Sequence, residues 1–435
     1  MKIPEMLLIE SEHKPASLAK ILQAIGECGL VVEGLNAVRR DQDKTIWEIT
    51  LEMDQDVDYG LYRRLEALPN ARLIGHSDRV FDRHKGGKIR MTARTPIKTL
   101  GLLRDIYTPG VARVCLAIEE KPETVWDYTA LGRTVGIVTN GTAVLGLGDI
   151  GARAGLPVME GKSALLAQFV GLSGIPILLD EKKPERIIEA VLAIAPSFGA
   201  IQLEDIAAPA CFEVEKRLVE TLDIPVMHDD QHGTAVVTLA ALLRATRKLG
   251  RELAGSVVGQ IGLGAAGIGI ARLLLAYGVK TVIGADPNEQ ALARLERMGG
   301  KRGTLEEVMQ RAEIVIATSG KKGLIRPELV RKGQIILALS NPEPEIEPGL
   351  ALAQGAAFAA DGALVNNVLG FPGLFRGALD ARAKRFTDEM FFAAANRLAE
   401  LTEKGGLDPD PLRPGMHETV AQAVGEAART SGACE

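Results

Sequence analysis

The fold of the second half of this chain is decided by the stretch Ser256-Val257-Val258-Gly259-Gln260-Ile261-Gly262-Leu263-Gly264-Ala265-Ala266-Gly267. Its first half is a short β-type run. Its second half has glycines in the pattern GxGxxG, ahead of a helical run at 268–277. Such glycines let the backbone approach a pyrophosphate, whose negative charge the helix N-terminus meets. The stretch predicts a Rossmann-type dinucleotide site, with a glycine-rich packing turn as the alternative.

The residues after this stretch indicate which dinucleotide binds. A second strand at 281–285 ends in Asp286, 19 residues after Gly267. An acidic side chain at that point bonds the ribose hydroxyls of the adenosine and favours NAD over NADP. A third strand at 314–318 continues the fold, and its end, Thr318-Ser319-Gly320, is expected near the cofactor.

Acidic residues follow two earlier apolar runs. Leu203-Glu204-Asp205-Ile206 comes after the run at 200–203, and His228-Asp229-Asp230-Gln231-His232-Gly233 comes after the run at 224–227. Short apolar runs of this kind are typical of buried parallel strands. Carboxylates at the ends of neighbouring strands repel one another unless a cation lies between them, and oxygen ligands suit Mg²⁺ or Mn²⁺. These clusters predict a divalent metal site.

The composition excludes several classes of protein. Of the 435 residues, 46% are hydrophobic and 25% are charged, with a formal net charge of −5, which allows two or three buried cores. The absence of a long Lys/Arg run argues against a nucleic-acid partner. No stretch approaches the ~20 apolar residues of a membrane span. The N-terminus lacks a signal-peptide layout, and the four cysteines are far apart, without zinc spacing. We expect a cytoplasmic protein.

Residues 1–85 predict a small domain of their own. Apolar and alternating runs flank two helical patterns in the order β-α-β-β-α-β, which is ferredoxin-like, and the basic stretch at 83–88 is typical of a linker. With Pro15-Ala16-Ser17-Leu18-Ala19-Lys20 opening the first helix, this order resembles ACT regulatory domains. The resemblance implies a small effector bound at this domain. A dimerisation or purely structural domain is the alternative.

Two single residues stand in glycine-containing segments ahead of helical patterns. Tyr107 lies in Tyr107-Thr108-Pro109-Gly110, before a helical run from Val111. Lys162 ends the segment Pro157–Lys162, before an apolar helix at 164–170. Non-helical positions next to helix starts often have a function, so both residues are candidates.

Seven motifs between about residue 90 and residue 400 resemble the malic enzyme family, in its short bacterial type, and stand in the family's order. They are Tyr107–Ala112, Asn140–Gly151, Pro157–Lys162, Leu203–Ile206, His228–Gly233, Ser340–Glu345 and Asn366–Gly373. The resemblance implies an α/β substrate and metal domain at 90–240 and a Rossmann-type NAD-binding domain with C-terminal helices at 241–435. Both would follow the ferredoxin-like (ACT-like) α+β domain at 1–85.

The resemblance also implies an activity, the oxidative decarboxylation of L-malate to pyruvate and CO₂ with reduction of NAD(P)⁺ and with Mg²⁺ or Mn²⁺. Lys162 would be the general base on the C2 hydroxyl, and Tyr107 the general acid that protonates C3 of the enol. A lysine base needs a lowered pKa, which burial and a nearby cation would supply. The family further implies a homo-oligomer, a dimer or larger.

The residue patterns and the resemblance together assign the remaining site residues to three groups. Asn341 and Asn367 would hold the substrate near the nicotinamide, and Asp229 would support Lys162 or the metal water. The metal ligands would be Glu204, Asp205 and Asp230. The cofactor would be held by Gly262, Gly264, Ala265, Ala266, Gly267, Asp286 and Asn341.

Two features depart from the family pattern. The segment Gly141-Thr142-Ala143 lacks the Arg that larger malic enzymes carry there, so the group that binds the remote carboxylate stays open between backbone N–H groups and a partner subunit. The stretch between Asp286 and Ile314 is short, which leaves NADP as an alternative to NAD. Two other functions remain open at this point: a related dehydrogenase of another hydroxy or amino acid, and a non-catalytic metabolite sensor.

Overall fold

The structure is a computed structural model that describes residues 2–54, 59–144, 146–362, 365–402 and 409–434. The chain divides into two compact units, Met1–Arg90 and Met91–Glu435. Among the described residues, no helix is both long enough and apolar enough to cross a membrane.

The first unit has the element order β-α-β-β-α-β, as the sequence predicts, followed by a short third helix. The described elements are β1 (Lys2–Glu12), α1 (Ser17–Glu27), β2 (Val32–Arg40), β3 (Lys44–Asp54), α2 (Leu61–Glu66), β4 (Ala71–Asp78) and α3 (Arg79–His84). The strands pair antiparallel in the order β2-β3-β1-β4. Helix α3 takes up the start of the predicted linker.

One face of this sheet is apolar because side chains alternate along a strand. Leu7 and Ile9 of β1 lie beside Ile49 and Leu51 of β3, and all four are fully buried against residues of α1 and α2 such as Ile21. Each such aliphatic side chain contributes roughly 1.5–3 kcal/mol of transfer free energy. The first unit therefore has a hydrophobic core of its own.

The second unit contains two parallel sheets with helices around them. Its described strands are β5 (Thr134–Thr139), β6 (Ser173–Leu178), β7 (Ala200–Leu203), β8 (Val226–His228), β9 (Val257–Ile261), β10 (Thr281–Ala285), β11 (Lys301–Arg302), β12 (Ile314–Ala317), β13 (Ile335–Ala338) and β14 (Phe358–Asp361). Its described helices are α4 (Leu100–Ile106), α5 (Gly110–Glu120), α6 (Val125–Tyr128), α7 (Ala152–Val170), α8 (Pro184–Ile194), α9 (Ala210–Thr221), α10 (Asp229–Lys248), α11 (Ala265–Ala276), α12 (Glu289–Arg297), α13 (Leu305–Arg311), α14 (Pro348–Ala353), α15 (Phe371–Asp380), α16 (Asp388–Leu401) and α17 (Met416–Thr430).

The two sheets have different strand orders. The first runs β6-β5-β7-β8 and the second runs β11-β10-β9-β12-β13-β14. In the second sheet the chain moves from β9 to one side and then to the other, which is the order of a doubly wound dinucleotide-binding sheet. Ligands of such sheets bind at the carboxyl ends of the strands, where the direction of winding reverses. In this sheet that point lies after β9 and β12.

Helix α10 joins the two sheets. Most of its side chains are buried, among them Val236, Leu239 and Leu242, and they belong to one apolar cluster with β5 of the first sheet and β9 of the second. A helix that is apolar on every side needs packing partners all round. Because α10 has such partners on both sheets, the polar residues at its N-terminus are held in a fixed position between them.

Candidate active site

The two acidic clusters of the sequence meet at the carboxyl end of the first sheet. Glu204 directly follows β7, and Asp230 lies in the first turn of α10, directly after β8. Glu204, Asp205 and Asp230 each present a carboxylate oxygen within 4.8 Å of the others. Glu204 and Asp205 are buried. The predicted convergence of these three carboxylates is therefore present in the fold.

The backbone of Asp205 anchors this cluster in a strained conformation. Its φ of 54° is in the left-handed region, which a residue with a Cβ rarely adopts. The Asp205 N–H donates to Oδ2 of Asp230 over 2.9 Å, and the Asp205 carbonyl accepts from the N–H groups of Thr142 and Ala143. These hydrogen bonds connect Asp205 to Asp230 and to the loop at 140–144, and they hold the unfavourable backbone conformation in place.

Lys162 lies inside this cluster, but not where the sequence predicts it. Helix α7 begins at Ala152 and contains Lys162, so the prediction of a helix that starts after Lys162 is wrong. Pro157 lies within the helix, where its missing N–H costs stability, and the buried face formed by Met159, Leu166 and Val170 offsets that cost. The helix carries the Lys162 side chain into the interior.

Three side chains surround the Lys162 ammonium group. Its Nζ donates to Oδ2 of Asp229, lies 3.1 Å from Oε1 of Glu204, and lies 4.4 Å from the ring centre of Phe371. Asn367 donates to the same oxygen of Asp229 over 3.0 Å. Asp229 therefore links the predicted base to a predicted substrate-binding residue.

Charge and burial oppose each other at this lysine. Burial lowers the pKa of Lys162, but Asp229 and Glu204 raise it by more, so the pKa of the amine lies above its ordinary value. Burial also raises the pKa of the Glu204 carboxyl, as does repulsion from Asp229 and Asp230. The buried carboxylates by themselves stabilise the ammonium form, and a lowering of the pKa of Lys162 by a nearby cation stays a prediction.

A second layer of polar contacts, which the sequence did not reveal, supports the cluster. His228 Nε2 lies 3.2 Å from Oδ2 of Asp230, and Gln202 donates to Glu204 over 2.7 Å. Glu215, whose side chain is 12% exposed, accepts from the N–H of His228 and contacts His232 over 3.0 Å. Burial raises the pKa of Glu215, but the two imidazoles lower it below its ordinary value. No local pattern marks Glu215, because its partners lie at the end of β8 and on α10.

The glycine-rich loop follows β9 at the switch point of the second sheet. Gly262 has a φ of 83°, and a Cβ there would lie 2.7 Å from the carbonyl oxygen of Thr318. At Gly264 a Cβ would meet nothing within 4 Å, so this glycine faces open space at the start of α11, which begins at Ala265. Asp286 directly follows β10, and its Oδ2 accepts from the N–H of Leu263 over 2.7 Å. The glycine-rich loop and the Asp286 carboxylate are thus adjacent.

Two loops beside this one share a carboxylate to which the sequence assigns no role. Glu345, which is fully buried, accepts from the N–H and hydroxyl of Ser319 and from the hydroxyl of Ser340. Asn341 lies next to Ser340 and is exposed. Its carbonyl oxygen would lie 2.9 Å from a Cβ at Gly146, in the motif at 140–151. Position 145 of that motif lies outside the described residues.

Two family models cover much of the second unit. The model described as "Malic enzyme, N-terminal domain" matches residues 87–184, and "Malic enzyme, NAD binding domain" matches residues 286–430. The NAD binding domain of D-isomer specific 2-hydroxyacid dehydrogenases matches residues 227–323.

Relatives align with nearly the whole chain. NAD-dependent malic enzyme 1 of Bacillus subtilis is 51% identical over 98% of both chains. This chain belongs to the malic enzyme family. NAD-dependent malic enzyme of Geobacillus stearothermophilus is 42% identical over 98% of this chain and 94% of its own. The crystal structure of malic enzyme from Pyrococcus horikoshii covers 80% of this chain and 88% of its own, with a TM-score of 0.76 and 39% identity.

The residues that the malic enzyme resemblance singles out fall into two groups in the structure. Those at the strand ends and on α7 and α10 are close together. Tyr107 is not among them: it follows α4, its side chain is 67% exposed, and no described hydrogen bond joins its hydroxyl to another residue. The fold therefore brings the proposed base and the proposed metal ligands together, but it does not bring the proposed acid to them.

Proposed function

We propose that this chain catalyses the oxidative decarboxylation of malate to pyruvate and CO₂ with reduction of NAD⁺. The observation that carries the proposal is the 51% identity with the NAD-dependent malic enzyme 1 of Bacillus subtilis over 98% of both chains. The geometry supports it, since three carboxylates, a buried lysine and a dinucleotide loop belong to one compact unit.

The reaction consists of three transfers, of two protons and one hydride, and one bond cleavage. The C2 hydroxyl of malate loses a proton while C2 loses a hydride, which gives oxaloacetate. The C3–C4 bond then breaks, CO₂ leaves, and the electron pair of that bond passes into the enolate of pyruvate. A proton added at C3 completes pyruvate. The chain has to supply a base for the first step and an acid for the last.

Glu204, Asp205 and Asp230 would hold a divalent cation. Their oxygens are the hard ligands that Mg²⁺ and Mn²⁺ prefer, and they converge within 4.8 Å. Burial and mutual repulsion raise the pKa of Glu204, and a cation is the charge that offsets such repulsion. When bound, the cation polarises the C2 oxygen and stabilises the enolate.

Gly262, Gly264, Gly267 and Asp286 would hold the dinucleotide, which accepts the hydride when bound. The open space in front of Gly264 and the helix start at Ala265 suit a pyrophosphate. Asp286, beside the loop, favours a free ribose hydroxyl over a 2′-phosphate, because a second negative charge there would be repelled. This favours NAD over NADP.

Lys162 would accept the proton of the C2 hydroxyl, and Asp229 would orient it. Asp229 is fully buried and bonds both Lys162 and Asn367, so it fixes the amine relative to a proposed substrate-binding amide. A lysine acts as a base only after losing its own proton. Positive charge beside the neighbouring carboxylates lowers the pKa of the lysine and so favours that loss.

Initial rates of NADH formation from malate test the proposed function. We expect activity with Mn²⁺ or Mg²⁺, none after EDTA treatment, and a higher kcat/KM with NAD⁺ than with NADP⁺. The match of residues 227–323 favours one other candidate, a dehydrogenase of another 2-hydroxy acid. A panel of 2-hydroxy acids and amino acids, with and without EDTA, separates the two. Full activity in a metal-free preparation would refute the proposed mechanism.

Tyr107, the proposed acid, lies in a segment that the other described residues of its own chain do not bury. Residues 91–134, all of which the structure describes, include no buried residue, although they form α4, α5 and α6. We call this segment the arm. Its exposed apolar side chains include Leu100, Leu103, Ile106 and Leu116. Helices of 7 and 11 residues are marginal alone, and a stable interface takes roughly 20–30 residues from each partner. The arm is long enough for such an interface.

The partner that suits the arm is a second copy of this chain. The side chains described around Lys162 are two carboxylates and a phenyl ring, and none is a hydroxyl. The Tyr107 hydroxyl is exposed and has no described partner in its own chain. If two copies exchange arms about a two-fold axis, each Tyr107 reaches the other copy's site, and both apolar surfaces are covered. The chain is then a homodimer, or a larger assembly of such pairs.

Co-expression of two inactive variants tests this exchange. A dimer of Tyr107→Phe with Lys162→Ala has one intact site if Tyr107 acts across the interface, and none if it acts within its own chain. Random pairing of differently tagged chains then restores about a quarter of wild-type activity, and purified mixed dimers restore about half. Each variant co-expressed with itself is the control. No recovery in mixed dimers of wild-type mass would place Tyr107 in its own chain's site.

The first unit would bind a small regulatory molecule, as ACT domains do. The support is its element order, its strand order β2-β3-β1-β4 and its separate core. Thermal unfolding of the full chain against a panel of amino acids and central metabolites tests this. We expect one class to raise the unfolding temperature and to change the rate with malate. If none does either, the domain has a structural or dimerising role.

A further inference from the structure

Glu345 is a fully buried carboxylate that no described Lys, Arg or His side chain neutralises. Removing a charge from water without a counter-ion is costly unless hydrogen bonds satisfy it. Oε1 of Glu345 accepts from the Ser319 N–H over 2.6 Å, the Ser319 hydroxyl over 2.8 Å and the Ser340 hydroxyl over 2.6 Å. Its Oε2 faces the Ser340 N–H at 3.4 Å. The donors come from two separate loops.

These two loops follow neighbouring parallel strands. Ser319 comes after β12 and Ser340 after β13, and the two strands pair directly. The Ser340 hydroxyl also accepts from the N–H of Gly320 over 2.8 Å, which ties the loops to each other. Glu345 and Ser340 thus hold two strand ends together at the edge where the glycine-rich loop lies.

Each loop extends the link to a different part of the site. Thr318 precedes Ser319 and contacts the glycine-rich loop: its hydroxyl accepts from Gln260 over 3.0 Å, and its carbonyl oxygen leaves no room for a Cβ at Gly262. Asn341 follows Ser340, and its backbone leaves no room for a Cβ at Gly146. Glu345 is therefore connected through close contacts to the cofactor loop and to the loop beside the carboxylate cluster.

We propose that Glu345 is a positioning residue that sets the cofactor loop and Asn341 in the geometry needed to bind the dinucleotide. The proposal rests on the proposed NAD-dependent function. A carboxylate suits this task because it accepts several hydrogen bonds and offers no donor that would repel the N–H and hydroxyl groups around it. A glutamine of the same size places an N–H₂ group against those donors.

The test compares Glu345→Gln with Gln334→Ala. Gln334 is also buried and also bonds three backbone groups, but it does so at the opposite, amino-terminal edge of the same sheet. Three quantities are measured for each: the Kd for NADH by fluorescence titration, the unfolding temperature without cofactor, and kcat and KM for NAD⁺ and malate.

We expect Glu345→Gln to weaken NADH binding about tenfold or more, since several hydrogen bonds to a charged group are lost. The KM for NAD⁺ should rise by a similar factor, and kcat should change less. Gln334→Ala should lower the unfolding temperature and leave the Kd within about twofold of wild type. A Glu345→Gln protein that unfolds at a lower temperature but binds NADH as wild type does would overturn the proposal.

Two milder variants keep the test decisive if Glu345→Gln does not fold. Ser319→Ala and Ser340→Ala each remove one hydroxyl bond to the carboxylate, and each should weaken NADH binding about two- to tenfold. Unchanged Kd values in both would also overturn the proposal. A wild-type protein that does not bind NADH at all would instead refute the proposed function.

Discussion

Lys162 and Tyr107, the two residues proposed for proton transfer, lie in opposite surroundings. Lys162 is 8% exposed and contacts two carboxylates and an aromatic ring, whereas Tyr107 is 67% exposed and lies on an arm without a single buried residue. One folded chain is therefore sufficient to bring the proposed base and metal ligands together. The proposed acid needs a surface that a single chain leaves uncovered.

The largest effect is expected at the buried residue. Lys162→Ala should lower kcat for malate oxidation about 10²–10⁴-fold, because it removes the base and leaves Asp229 and Glu204 without their cation. It should also lower the unfolding temperature in EDTA, since an unpaired buried carboxylate is costly. Steady-state rates and thermal unfolding measure both. A variant with more than a tenth of wild-type kcat would remove Lys162 from the role of base.

At Tyr107, we expect a substitution to lower activity without lowering stability. Tyr107→Phe should lower kcat about 10²-fold through loss of the proton donor. Its unfolding temperature should stay within about a degree of wild type, because phenylalanine keeps the aromatic ring and the described residues of its own chain make no hydrogen bond to the hydroxyl. If stability falls and kcat does not, Tyr107 is a packing residue and the contrast with Lys162 disappears.

The arm itself should determine assembly. Leu100→Glu places a charge on a side chain that is 77% exposed in one chain and covered in the proposed dimer. Burying one leucine contributes roughly 1.5–3 kcal/mol and the two-fold dimer covers two, so the dimer should dissociate at about 10²- to 10⁴-fold higher concentration. Light scattering over a dilution series measures this.

Leu412→Glu is the matched control for the arm. Leu412 is 74% exposed but lies outside the arm, so this variant should assemble like wild type. Equal masses for both variants at every concentration would count against the arm as an interface.

The smallest effect is expected for a lysine–aspartate pair at the surface. Lys182 pairs with Asp149, but both side chains are largely exposed, unlike Lys162 and Asp229. Exposed pairs contribute about 0–1 kcal/mol, so Lys182→Ala should leave the free energy of unfolding nearly unchanged. Denaturant unfolding measures it. A loss as large as that of Lys162→Ala would show that burial does not set the difference between the two pairs.

Local patterns predicted much of this molecule correctly. The strand, the glycines and Asp286 of the dinucleotide region are close in sequence, and parallel strands bring their carboxyl ends to one edge, which predicted the convergence of Glu204 and Asp230. The prediction that a helix starts after Lys162 was wrong, because the helix begins at Ala152 and continues through Pro157. Packing of one apolar face overrides a single unfavourable residue in such a helix.

Other features have no local signal. Glu345 stands between two prolines in a loop, and its partners Ser319 and Ser340 are identified only when β12 and β13 pair. The partners of Glu215 likewise lie on other elements, His228 at the end of β8 and His232 on α10. Such contacts depend on which strand ends meet, and residue spacing does not encode that.

The element order, the dinucleotide motif and the chemistry of the carboxylate cluster can be inferred from the sequence, because each depends on residue types at short spacing. The burial of Lys162 against Asp229, the link that Glu345 makes between two loops and the lack of any buried residue in the arm at 91–134 become visible only in the folded chain. Burial and hydrogen-bond partners are properties of packed surfaces, which exist only after distant segments have come together.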